Sequence, residues 1–484
     1  MKRLLLAFAL CAAAAAWQAL PAAESAARLN IVLILADDLG AADLGCAGNT
    51  FHETPHLDAL ARRSVRFTQA YASAPVCSPT RAALLTGKCP ARLGITTWLE
   101  SARDHSPGKQ RLAPAASAYN LPHSEATLAK RLQAAGYLTA LVGKWHLGDA
   151  EHYPETHGFD INRGGSLWGA PATYFWPYRG SGRFGPEFRY LPGLDYGQPG
   201  EYLTDRLAQE ALAVIDHAQK RNQPFFLYLA HHAPHTPIEA KPEDIEHFRR
   251  RLQPGSPWQH PAYAAMVRSL DQSVGRVLAH LEMRGLAEQT LVIFTSDNGG
   301  FIGKDRRTGL NVTTNAPLRS GKGSLYEGGL RVPLFIRWPG CSPAEGGDCT
   351  QPVITADLFF TVLAAAGLKP DAARADGLDL APLLRSPGGK LAREALCWHF
   401  PHYYETTSPV SAVRAGKWKL LEYFEDGRRE LYDLEADPGE QTDLAAAQSQ
   451  WVQALAQKLA AWRLEVRAQL PQPNPDFKPA ANAP

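Results

Sequence analysis

The sequence predicts an α/β protein built on a largely parallel sheet covered by helices on both faces. Three observations predict it. Short continuous apolar runs at 31–36, 137–142, 225–230, 291–295 and 332–338 read as strands buried on both sides. The segments between them carry apolar residues at three- and four-residue spacing, which reads as covering helices. The 484 residues are 45% hydrophobic and 20% charged, with 40 Gly and 37 Pro, so the chain can bury a large core and still carry long loops.

The elements follow in order. Lys2 and Arg3, an apolar run at 4–16 and small residues at Ala19, Ala22 and Ala23 form the pattern of a signal peptide over 1–23. That run falls short of the roughly 20 apolar residues a spanning helix needs, and no later stretch reaches that length. An exported protein, periplasmic or extracellular and without stable membrane insertion, is expected. Leu10 stands where a small residue would precede a lipidated cysteine, so no anchor is expected at Cys11.

After the first strand, Thr54, Pro55, Leu57, Leu60 and Ala61 read as N-cap, first-turn proline and buried stripe of a helix. A helix at 124–135 stops at Gly136, and a loop-rich stretch over about 158–200 precedes a helix at 202–217. Tyr263, Met266, Val267, Leu270, Val274, Val277, Leu278 and Leu281 define a long amphipathic helix ended by Gly285. Residues 418–424 and 430–434 read as a hairpin around Glu425-Asp426-Gly427, and 448–464 as a terminal helix. The expected organisation is a catalytic domain over 24–385, a smaller α+β subdomain with an antiparallel sheet over 386–470, and a flexible Pro- and Ala-rich tail over 471–484.

Charge and cysteine content limit the function. Lys plus Arg is 50 against 48 for Asp plus Glu, which gives no general attraction to nucleic acid or to an anionic membrane. Any anion binding is therefore local. Without Cys11, six cysteines remain in an oxidising compartment: Cys46, Cys77, Cys89, Cys341, Cys349 and Cys397. Six suit three disulfides, with Cys341 and Cys349 the pair most readily joined. Alternatively, Cys77 is spent chemically and one thiol is left over.

Polar clusters follow the strands, where an α/β sheet gathers its ligands. They are Asp37-Asp38, Gly143-Lys144-Trp145-His146, His231-His232-Ala233-Pro234-His235 and Asp297-Asn298-Gly299-Gly300. Each alone reads as turn chemistry or surface; four at one end of one sheet read as a pocket. Asp37, Asp38, Asp297 and Asn298 are hard oxygen donors, which suits Ca²⁺, or Mg²⁺, rather than Zn²⁺. The segment Cys77-Ser78-Pro79-Thr80-Arg81-Ala82-Ala83-Leu84-Leu85-Thr86-Gly87 reads as a helix with Pro79 at the first position and Gly87 as the stop. Cys77 would then lie beside free backbone N–H groups, a natural place for an anion.

This segment resembles the signature of the sulfatase family: a Cys, a Pro two residues on, an Arg two further, and a small and apolar helix ending Thr-Gly. The resemblance extends through Ala36-Asp37-Asp38-Leu39-Gly40, Gly143 to Gly148, Ala233 to Pro237, Ser296 to Gly299, Lys322 to Gly329, Leu431 to Leu434 and Asp437 to Glu440. It implies an alkaline phosphatase-like fold. It also implies that a maturation enzyme oxidises Cys77 to formylglycine, whose hydrate attacks the sulfur of a sulfate ester. In relatives the attack is assisted by a divalent metal held by Asp37, Asp38, Asp297, Asn298 and the modified Cys77, with Asp297 as base. His235 and Lys322 would contact the ester and protonate the leaving oxygen, and His146 would take the proton of the second hydroxyl to expel sulfate. Lys144 and Arg81 would hold the diol and offset the carboxylates.

For substrate, residues 166–196 hold Trp168, Tyr174, Phe175, Trp176, Tyr178, Arg179, Arg183 and Arg189, which suit a sulfated sugar or simply pin a long loop. Trp398, His399, His402, Tyr403 and Tyr404 form a second such cluster. A sulfated galactose or N-acetylgalactosamine is the expected substrate. Rival readings are a phosphate or phosphonate ester hydrolase and a non-catalytic binder of sulfated glycans. Asn311-Val312-Thr313 matches a glycosylation acceptor.

Overall fold

The computed structural model describes residues 28–103, 109–182, 184–370 and 376–478. The expected signal peptide, Arg183 and residues 479–484 lie outside the described residues. The main sheet contains β1 (Asn30–Ala36), β2 (Val65–Phe67), β3 (Leu138–Gly143), β4 (Ile161–Arg163), β5 (Phe225–Ala230), β6 (Thr290–Ser296), β7 (Leu334–Arg337) and β8 (Gly347–Cys349). Their spatial order is β8-β2-β7-β6-β1-β5-β3-β4. Pairing is parallel except at β7, which runs against both β2 and β6.

Every residue of β1, β3, β5 and β6 is buried, as continuous apolar runs require when both faces are covered. Alternate side chains of β1 serve opposite layers. Val32 and Ile34 pack with Leu57 of α1 (Pro55–Arg62), Leu207 of α4 (Leu203–Lys220) and Leu270 of α6 (Pro261–Met283). Ile31, Leu33 and Leu35 pack with Leu84 of α2 (Cys77–Thr86), Leu132 of α3 (Leu128–Ala134) and Leu358 of α7 (Asp357–Ala365). Helix α5 (Pro242–Arg250) joins the first layer through Phe248.

Local chemistry shifts several expected boundaries. Thr54 precedes α1 but does not cap it; its hydroxyl donates to Asp58 and accepts from the Gly45 N–H. The free N–H groups of His56 and Leu57 are instead met by the carboxylate of Asp271, from α6. Helix α3 starts at Leu128 rather than 124, because Thr127 accepts the Lys130 N–H and so sets the N-terminus there. In α2, Cys77 is itself the first residue and Pro79 the third, still within the turn whose N–H groups have no helical partner.

The cysteines correct a second expectation. All six are free thiols, and Cys341 and Cys349 are not joined. Pairing of β8 with β2 buries Cys349 fully in the core, while the Cys341 thiol lies against the Ala381 carbonyl. The tail is also less frayed than its composition predicts. Gln472–Pro473 pairs antiparallel with Leu112–Ala113, and Asn474 donates to the carbonyls of Arg111 and Gln110.

A second, antiparallel sheet follows the chain order: β9 (Leu396–Phe400), β10 (Val410–Ala415), β11 (Trp418–Tyr423) and β12 (Arg429–Asp433). Helix α8 (Ser449–Glu465) covers one face through Leu455 and Leu459. The other face packs Trp398, Leu421 and Tyr432 against Tyr71, Leu325 and Leu330. At that junction Lys419, fully buried, lies 2.9 Å from both Glu327 Oε1 and Glu440 Oε1. Replacing Lys419 by Met takes the buried cation from Glu440 and leaves Glu327 with Arg331, 3.8 Å away; the expected loss is about 3–5 kcal/mol, read as a lowered denaturant midpoint at unchanged m-value. Among the described residues no helix is long and apolar enough to cross a membrane.

Candidate active site

Strands β6, β1, β5 and β3 are consecutive in the sheet, so their carboxyl ends open side by side. The backbone ladder continues past them: the N–H groups of Asp37, Lys144 and Asp297 donate to the carbonyls of Ala233, Ala230 and Ala36. Gly143 has φ +108°, and a Cβ there would lie 1.9 Å from the Ala230 oxygen, so no other residue lets the β3 loop turn this closely. Asp38 and His146 are non-glycine residues at φ 64° and 59°. Such left-handed conformations cost roughly 1–3 kcal/mol and are held here by the surrounding contacts.

A buried layer of charge lies at the base. Arg81 donates to Asp297 Oδ2 through Nε (2.9 Å) and to the Lys144 carbonyl (3.1 Å), and its Nη2 lies 2.9 Å from Asp297 Oδ2 and 3.7 Å from Asp37. Lys144 Nζ is 2.6 Å from Asp37 Oδ2. The Cys77 thiol donates to Asp37 Oδ1 at 3.5 Å, and Lys322 Nζ approaches that sulfur at 3.6 Å and Asp38 at 2.8 Å. His235 Nε2 is 3.6 Å from Asp38 Oδ2, and Asn298 donates its amide to Asp38 Oδ1 at 2.7 Å. Burial and the neighbouring Asp37 hold the Asp297 carboxyl above its ordinary range. Burial pushes the Cys77 thiol well up, so it stays protonated.

Nine of the ten sequence-predicted site residues therefore converge in this layer, and the tenth, His146, lines the cavity above it. Asp37, Asp38, Cys77 and His235 place one ligand atom each within 4.8 Å of one another. The donor set suits a hard divalent cation, and one observation tests the fit directly: Asn298 is fully buried and its Oδ1 has no hydrogen-bond partner. A cation coordinated by that oxygen and the three aspartates would satisfy it.

Above this layer opens a cavity of about 420 Å³. Asp38, Cys77, His146, His235 and Lys322 reach it, whereas Arg81, Lys144, Asp297 and Asn298 lie beneath. The two aromatic clusters divide between the readings given them. Tyr174 and Tyr178 are core residues, and the Tyr174 hydroxyl pins the histidine run by donating to the carbonyls of His232 and His235. Arg189 lines the cavity, stacked against Trp168 and Phe184 at 4.9 and 4.3 Å. In the second cluster Trp398 is buried and bonded to the Ala72 carbonyl, while Tyr404 reaches the cavity. The acceptor motif at Asn311 uses its Thr313 hydroxyl internally, donating 2.6 Å to Asp43.

Sequence reasoning missed Glu100. Its carboxylate accepts from His146 Nε2 at 2.7 Å and from the Gly169 N–H at 3.1 Å, with Arg189 3.7 Å away. No signal marked it, 46 residues before His146 in a segment without strand pattern. Gly169 completes the fit, since a Cβ there would lie 2.5 Å from the His146 ring. Because Glu100 only accepts, Nε2 carries the proton in neutral His146, and Nδ1 is the bare, basic nitrogen. Burial brings His146 down to about 4 against the upward pull of Glu100. A Glu100→Gln variant should lose about 10–100-fold in kcat with little change in KM. Its acid limb should move to lower pH, since removing the carboxylate lowers the imidazole pKa further; a kcat/KM profile checks both.

The fold and this site define an alkaline phosphatase-like hydrolase of anionic esters. The sulfatase family model matches residues 29–368, and a model described as N-sulphoglucosamine sulphohydrolase, C-terminal, matches 321–468. The chain belongs to the sulfatase family and is a sulfuric ester hydrolase. It is 36% identical over 406 residues to N-acetylgalactosamine-6-sulfatase of Rattus norvegicus, covering 81% of this chain and 70% of that protein. It is 35% identical over 474 residues to arylsulfatase A of Homo sapiens, covering 88% and 86%. The solved structure of Ps i-CgsB, also determined with k-i-k-neocarrahexaose, matches with a TM-score of 0.74 at 31% identity, covering 90% of this chain and 92% of that one.

Proposed function

We propose that this protein removes sulfate from a sulfated carbohydrate, with galactose or N-acetylgalactosamine sulfate as the substrate, after Cys77 has been converted to formylglycine by a maturation enzyme. The observation that carries this reading is the cavity floor, where Cys77 lies between Lys322 and the aspartate cluster. The curated relative acting on N-acetylgalactosamine 6-sulfate supports the sugar class.

Hydrated formylglycine supplies two hydroxyls on one carbon, one to take the sulfuryl group and one whose deprotonation releases it. Asp37, Asp38, Asp297 and Asn298, with the modified Cys77, would hold Ca²⁺, or Mg²⁺, which would supply positive charge that favours attack on the sulfate ester. The chain's own residues do the rest. Asp297 takes the proton of the attacking hydroxyl. Lys322 and His235 hold the ester from the cavity side and donate a proton to the departing sugar oxygen. His146, oriented by Glu100, takes the second proton. Lys144 and Arg81 fix Asp37 and Asp297 from below. Arg189 and the aromatic faces beside it offer a cation and an apolar wall to the sugar. Residues 1–23 act as a signal for export, and 24–385 carry the catalytic unit.

A screen of matured protein on defined galactose and N-acetylgalactosamine sulfates, beside matched aryl sulfate and aryl phosphate, tests this. Release of sulfate from at least one sugar, and aryl sulfate preferred over phosphate, is expected; a phosphate preference would overturn it. Chelation should abolish turnover, and Ca²⁺ or Mg²⁺ should restore it, whereas restoration by Zn²⁺ alone would refute the oxygen-donor assignment.

A further inference from the structure

A second group of ligand-type side chains lies away from the cavity. His123, His152 and His157 bring one ring nitrogen each within 4.8 Å of one another. They come from the loop before α3 and from the two turns after the β3 loop, so separate segments converge on them. His123 stacks on His152 with ring centres 4.1 Å apart and planes 13° apart, and lies 5.1 Å from the His157 ring. Among the described residues no carboxylate is hydrogen-bonded to any of the three rings.

The protonation pattern fits metal ligation. His152 Nδ1 meets the Leu121 carbonyl at 2.9 Å. A carbonyl only accepts, so in the neutral ring Nδ1 carries the proton and Nε2 holds a free lone pair. A backbone oxygen orienting a ligating imidazole in this way is a recurrent outer-shell device. His157 is fully buried, and neither of its ring nitrogens has a partner. In either neutral tautomer one is a donor and one an acceptor, and a bound ion would take up the lone pair of the acceptor nitrogen. His123 is exposed, so its ring can be removed or reoriented without opening the core.

We propose that His123, His152 and His157 bind a first-row transition ion of the Zn²⁺ type, as a site separate from the active centre. Three imidazoles without a carboxylate favour such an ion over Ca²⁺ or Mg²⁺, so the two sites differ in metal as well as place. The site would act on the catalytic loop from behind. Trp145 Nε1 donates to the His152 carbonyl at 2.8 Å and its ring lies 5.4 Å from His157, while the Leu121 N–H donates to the Leu147 carbonyl. Trp145 stands between Lys144 and His146, so an ion here would clip together the three segments that back those two residues. Lys130, anchored on the His123 carbonyl, is the nearby cation and faces the rings from α3, so it opposes the ion and favours a neutral triad.

The test uses the full-length protein carrying Cys77→Ser, to remove the active-site thiol, in saturating Ca²⁺ to occupy the oxygen-donor site. One equivalent of Co²⁺ should bind with the visible absorption of a low-coordinate imidazole site, be displaced by Zn²⁺, and raise Tm by a few degrees at large excess. His123→Ala should keep the metal-free Tm, His152→Ala should lower it slightly through the lost Leu121 contact, and both should weaken binding by about 100-fold or more. Absence of this band, or unchanged affinity in either variant, would overturn the proposal. The result is independent of the sulfatase substrate, because turnover is not the readout.

Discussion

Cys77→Ser is expected to abolish steady-state sulfate release while leaving at most one equivalent of alcohol released per chain. The serine oxygen occupies the position of the Cys77 sulfur, close to Asp37 and Lys322, so the floor of the cavity still presents a nucleophile to the ester. What serine lacks is a second hydroxyl on the same carbon. His146 then has no proton to take, and the sulfuryl group has no route off the protein. Steady-state turnover should fall on the order of 10⁶-fold, the scale seen when the nucleophile of a covalent catalyst is removed. Cys77→Ala should give neither burst nor turnover. Quench-flow of alcohol release, with mass spectrometry of the peptide containing residue 77, reads both. Continued turnover by the serine variant would remove the elimination step from the mechanism.

The main architecture was legible because the strands of an enclosed parallel sheet are continuous apolar runs, and the same property located the site. Asp37, Lys144, His235 and Asp297 each follow such a run, and four adjacent strands placed them together. What the sequence hid was set by contacts between distant segments. The cap on α1 is Asp271, more than two hundred residues away, which replaced the local candidate Thr54. Glu100 lies in a segment with no periodicity, and only the fold brings it to His146. The proposed Cys341–Cys349 bridge rested on proximity along the chain, and strand pairing of β8 overrode it. The aromatic stretch at 166–196 was ambiguous for a physical reason: a ring that pins a loop and a ring that lines a pocket have the same sequence signature. Tyr174 turned out to be the first kind, and Arg189 with Phe184 the second.

Arg81→Leu should lower stability and turnover while strengthening the response to Ca²⁺. Asp37, Asp38 and Asp297 are opposed in the buried layer by Arg81, Lys144 and Lys322, three charges of each sign. Arg81 is fully buried and holds Asp297 through two nitrogens. Its removal leaves Asp297 facing Asp37 with, among the described residues, the Asp38 N–H still bonded to it, at an expected cost of about 3–5 kcal/mol. Arg81 does not line the cavity, so the kinetic loss should fall mainly on kcat, about 100-fold, through the displaced Asp37 and Asp297. A carboxylate cluster one positive charge poorer attracts a divalent cation more strongly, and binding to the folded state stabilises it in proportion. The Tm rise on adding Ca²⁺ should therefore be larger in Arg81→Leu than in the wild type, even as activity falls. Arg81→Lys keeps the charge but cannot make the forked contact, and it should lose stability with a Ca²⁺ response near that of the wild type. Thermal unfolding across a Ca²⁺ titration of the three proteins reads the pattern, and equal responses in all three would show that Arg81 does not balance the metal-binding carboxylates.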